Sequence, residues 1–79
     1  MDRDEEIKLE NKKIRYLRFF IDLSIAEIYQ SELSLIEALR IMKRAKQVAL
    51  NLFPDSENTF ELIYAPRFRR AILERFRLN

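Results

Sequence analysis

Isoleucine recurs every seven residues along the first part of the chain, at Ile7, Ile14, Ile21 and Ile28. That spacing keeps one stripe of a helix apolar. Leu17 fills the alternate seam position after Ile14, but Glu10 and Ser24 take the others, so the seam falls short of a coiled coil, which needs both positions apolar over several heptads. The pattern predicts a long first helix over residues 4–29. Its halves differ in character. Before Ile14 only Ile7 and Leu9 are apolar, whereas Tyr16, Leu17, Phe19, Phe20, Ile21, Leu23, Ile25, Ala26, Ile28 and Tyr29 cover most of the later circumference. A helix apolar nearly all round is buried on more than one side. Arg15, Arg18 and Asp22 share the remaining polar stripe, which predicts an exposed ion pair within this helix.

Ser34 followed by Glu37 spells a capping box and predicts a second helix over residues 34–53. The connection of about four residues, 30–33, makes the first two helices antiparallel neighbours. Leu35, Ala38, Leu39, Ile41, Met42, Ala45, Val48, Ala49, Leu52 and Phe53 fall on one broad face of the second helix. Pro54 ends it. Asp55 or Ser56 is then placed to cap a third helix, with Glu57 and Glu61 near its positive end. Pro66 interrupts this segment, either as a kink or as a break into short helices over 57–64 and 66–78 with Pro66 in the first turn. Phe60, Tyr64, Phe68, Ile72 and Phe76 form a ladder at intervals of four. The expected fold is all-α: one domain over 1–79, a small bundle of a long, a medium and a proline-interrupted helix, completed by dimerisation. Residues 1–12 are expected to form a polar N-terminal helical arm, frayed or projecting.

Composition removes whole classes of chemistry. The 79 residues include no glycine, cysteine, histidine or tryptophan. Phosphate-cradling loops need glycine where the backbone approaches the ligand. Without cysteine there is no disulfide, thiolate nucleophile or cysteine zinc site; without histidine, no histidine base and no Ser-His-Asp triad. No catalytic residue, cofactor or metal site is expected. The apolar run over 19–28 is broken by Asp22 and Glu27 and is too short to span a bilayer, so the expectation is a cytoplasmic protein with no membrane partner.

The remaining candidates are carboxylate pairs, one lysine, basic stripes and apolar faces. Glu6 with Glu10 and Glu57 with Glu61 stand four apart on helices, but helical di-metal sites add histidines that this chain lacks. Lys46 lies within the apolar arc of the second helix, and its stem is expected to be buried with the ammonium at the rim. The formal net charge is only +2, yet Arg40, Lys43 and Arg44, and Arg67, Arg70 and Arg77, form basic stripes of the kind that neutralise phosphates. Nucleic-acid binding or regulation through them is therefore the alternative function. The stronger signal is surplus apolar surface. A chain this short buries only about 60% of its unfolded surface, and three helices cannot cover faces this broad. The leading expectation is a non-enzymatic interaction module, a homodimer or a docking site for another protein, with Ile7, Ile14, Leu17, Phe20, Ile21, Ile25 and Ile28 at the interface.

Overall fold

The computed structural model describes residues 2–30 and 32–77, and every element in them is helical. Helix α1, Arg3–Gln30, begins where the Asp2 carboxylate accepts the Glu5 amide at 2.9 Å, with Asp4, Glu5 and Glu6 in its positive first turn. Helix α2, Leu35–Leu52, carries the expected capping box. The Glu37 amide donates to the Ser34 hydroxyl at 3.2 Å, and the Ser34 amide donates to Glu37 Oε1 at 3.5 Å.

The third helix neither breaks nor simply kinks at Pro66. It starts as α3, Glu57–Thr59, widens into a π-helical turn over Phe60–Tyr64 and continues as α4, Ala65–Phe76. Proline has no N–H to offer the preceding turn. The Ala65 amide instead donates to the Phe60 carbonyl, five residues back, and Pro66 then sits in the first turn of α4. The extra residue in this turn rotates the following helix. Phe60 and Phe68, on either side of the extra residue, are both fully buried, with ring centroids 6.2 Å apart. Of the two expected caps, Ser56 takes the position but not the bond. Ser56 stands at the N-cap without a side-chain cap bond, and its hydroxyl donates to the Ala49 carbonyl at 3.4 Å, tying the turn to the end of α2.

Two contacts define the topology. Arg67 Nη2 meets Asp22 Oδ1 at 2.8 Å, and the Tyr29 hydroxyl donates to Glu74 Oε2 at 2.5 Å. Each step is seven residues along both helices in the same direction, so α1 and α4 run parallel while α2 runs antiparallel between them. Asp22 thus pairs with Arg67 of α4 rather than with Arg15 or Arg18 on its own helix, as its spacing had suggested. The core holds Leu17, Ile21 and Ile28 of α1, Ala38, Ala45 and Ala49 of α2, and Phe60, Ala65, Phe68, Ala71 and Ile72 of the third helix. Ser24 is the buried polar residue, and its hydroxyl donates to the Phe20 carbonyl at 2.8 Å.

In a chain without glycine, Arg77 ends α4 in the left-handed region (φ 51°, ψ 46°). A residue with a Cβ pays about 1–2 kcal/mol there, and glycine does not. Arg77→Gly is therefore expected to stabilise the chain by about 1 kcal/mol, read as a rise in the denaturant midpoint without a change in slope. Phe68→Ala removes the ring at the centre of the core and is expected to cost about 3–5 kcal/mol, measured by urea unfolding followed by circular dichroism.

Candidate functional site

The isoleucine seam divides between two fates. Leu17, Ile21 and Ile28 are 5%, 0% and 0% exposed, and Phe20 and Ile25 pack partly buried against the same core. These five positions, expected at an interface with a second chain, therefore serve the chain's own core. The reason is geometric: α2 and α4 both lie against the seam side of α1. Ile7 and Ile14 remain exposed beyond and at the edge of the bundle. Residues 2–12 are exposed throughout, as α1 runs on past its neighbours.

The apolar residues of α1 outside the seam form a second face. At 100° per residue, Leu9, Tyr16, Phe19 and Leu23 lie within one third of the circumference, turned away from the core. Phe19 is 63% exposed and Tyr16 and Leu23 are each 53% exposed. Tyr16 stacks on Phe20 with centroids 6.3 Å apart, which holds its ring against the surface. Ile36, Leu62, Ile63 and Leu73 are also exposed, but they are distributed over α2, the π turn and α4. Scattered apolar residues are ordinary on a surface, whereas Leu9, Tyr16, Phe19 and Leu23 share one face of a single helix.

A groove of about 520 Å³ opens at the end of the bundle, where α1 passes the turn between α2 and α3. Ile14, Leu17, Leu52, Phe53, Phe60 and Tyr64 line it, with Glu10, Lys13 and Asp55 among its polar walls. Lys13 sits 3.9 Å from Glu10 and 5.9 Å from the centre of the Phe53 ring.

Lys46 proves to be the centre of an ion triad. Its ammonium lies 2.9 Å from Glu61 and 3.3 Å from Glu57, so the two carboxylates of the predicted pair converge on a lysine of α2. Among the described residues no group of three or more acidic side chains is arranged to hold a metal ion. Hydrogen bonds to Glu61 and then Glu57 raise the Lys46 pKa above its ordinary value. That direction opposes a nucleophilic lysine, which needs a lowered pKa. The hydrogen bond from Lys46 holds the Glu61 carboxyl below its usual range. In the same way, the bond to Glu74 raises the Tyr29 phenol.

The basic residues do not form one uninterrupted strip. Arg67 is engaged by Asp22, and Arg40 and Arg44 share a depression with Glu27, Glu32 and Glu37. Lys43 borders the pocket that contains Glu61, Arg70 lies beside Ile25 and Pro66, and Arg77 forms the left-handed helix end. Among the described residues no helix is long and apolar enough to cross a membrane. Compared with known proteins, the chain matches no family, no curated protein and no solved structure.

The triad has a defined pH window. Glu61, lowered in the folded chain, stabilises above the unfolded carboxylate pKa, and this contribution is lost as pH falls through the folded value. Lys46, raised, stabilises below the unfolded lysine pKa and loses its contribution as pH rises through the folded value. Lys46→Met is expected to flatten both limbs of a stability–pH profile measured by urea unfolding at low ionic strength. Because the groups are solvent-facing, added salt shrinks the difference between the two proteins.

Proposed function

We propose that this chain is a non-enzymatic helical interaction module that associates with a second copy of itself as a homodimer. The outward face of α1 forms the contact. The observation that carries this reading is that α1 bears two apolar faces and the chain's own helices cover only one of them. The exposed face has the makings of an interface centre: Tyr16 and Phe19 are of the residue class enriched at such centres, and aromatic anchors commonly dominate binding energy. Composition supports the non-enzymatic part, since the sequence has neither cysteine nor histidine nor a glycine loop. Size supports the association, because a scaffold of this length gains stability readily by burying surface against another chain.

Compared with the interface expected from the isoleucine period, the contact moves around the helix. Leu17, Ile21 and Ile28 give way to Tyr16, Phe19 and Leu23, while Ile7 and Ile14 stay available at the margin. A different protein seated on the same face is the outcome that would displace the homodimer.

Light scattering after size exclusion at high micromolar concentration is expected to give twice the 9.6 kDa chain mass. Tyr16→Asp with Phe19→Asp is expected to yield monomers with unchanged helical circular dichroism, since both side chains are exposed and outside the core. Each substitution removes its ring from both copies, and loss of four rings at about 1 kcal/mol each corresponds to roughly a thousandfold weaker association. A wild-type chain that stays at 9.6 kDa under these conditions overturns the reading.

A further inference from the structure

Charge is arranged symmetrically about the exposed stripe of α1. Lys12 stands four residues before Tyr16, and Glu27 stands four residues after Leu23, on the same side of the helix. The midpoint between Lys12 and Glu27 is therefore the midpoint between Tyr16 and Leu23, at Phe19 and Phe20. Both charged residues are exposed and neither forms an ion pair among the described residues, although Glu27 also borders the depression that holds Arg40 and Arg44. The stripe is positive at one end and negative at the other.

We infer that two copies pair antiparallel along α1 about a two-fold axis between Phe19 and Phe20, with Lys12 of each copy against Glu27 of the other. This rests on the proposed self-association and assigns its geometry. A two-fold contact is isologous, so whatever one end of the stripe presents must suit the opposite end of the same stripe in the second copy. The antiparallel arrangement meets that demand twice: Tyr16 faces Leu23 across the axis, and Lys12 faces Glu27. A parallel pair sets lysine against lysine and glutamate against glutamate, and like-charge juxtaposition selects against that orientation. Lys12 and Glu27 are separated by about 22 Å along one helix. An ion pair between them is thus possible only across the contact.

The test uses the full chain. Sedimentation equilibrium of Lys12→Glu and of Glu27→Lys is expected to show dimers about tenfold weaker than wild type, because two symmetry-related attractions become repulsions. The double variant Lys12→Glu, Glu27→Lys is expected to recover wild-type affinity within about twofold. As an orientation readout, Lys12→Cys is the sole cysteine in its chain and is expected not to form a disulfide with itself on oxidation, while a mixture with Glu27→Cys crosslinks. A wild-type dimer whose double variant fails to recover, or whose Lys12→Cys variant crosslinks to itself, overturns the antiparallel geometry and leaves self-association standing. A monomeric wild type removes both.

Discussion

The stripe of buried alanines on α2 is the constraint on which the rest of this structure depends. Ala38, Ala45 and Ala49 are all buried on the core side of α2. Side chains of one methyl group let helix axes come near the short end of the usual 8–10 Å range. Space close to the α2 backbone is then filled from elsewhere, by Ile21 and Ile28 of α1 and by Phe60 and Phe68 of the third helix. Bulk is supplied by the neighbours because α2 supplies so little. Larger residues at these positions would force the helices apart, and overpacking of that kind commonly costs about 1–3 kcal/mol.

The π turn serves the same packing. Proline at position 66 denies the helix an amide. The widened turn at Phe60–Tyr64 absorbs the missing donor and keeps the helix continuous. The turn lies between Phe60 and Phe68, whose rings meet in the core with centroids 6.2 Å apart. The consequence for function is indirect but concrete. With Phe60 and Phe68 filling the centre, α4 lies parallel to α1, secured by Asp22–Arg67 and Tyr29–Glu74. The seam side of α1 is thereby closed, and Tyr16, Phe19 and Leu23 are left facing outward.

Surface charges in this protein act mainly as local connectors. Lys46 joins α2 to the start of the third helix through Glu57 and Glu61, and Asp22 joins α1 to α4 through Arg67. Exposed pairs of this kind contribute little each. They mark which helix lies beside which, and one of them engages Arg67 of the C-terminal basic stripe. The proposed dimer places charge in the same role: the apolar stripe supplies attraction, and Lys12 and Glu27 supply direction.

By itself, the sequence determined the helical class, the capping box at Ser34 and Glu37, the boundaries of α1 and α2 within a residue or so, and the apolar character of α1 on more than one side. These are local properties, set by hydrogen-bonding side chains a few residues apart and by helical periodicity. Tertiary structure decided what periodicity leaves open: which apolar face of α1 the chain covers, where Asp22 and Lys46 find their partners, and how the third helix passes Pro66. The isoleucine period marked a seam but not its partner, because a stripe of isoleucines packs equally well against the same chain or another. The alanines of α2 and the phenylalanines that meet in the core settled that choice, since only the assembled helices show which space remains to be filled.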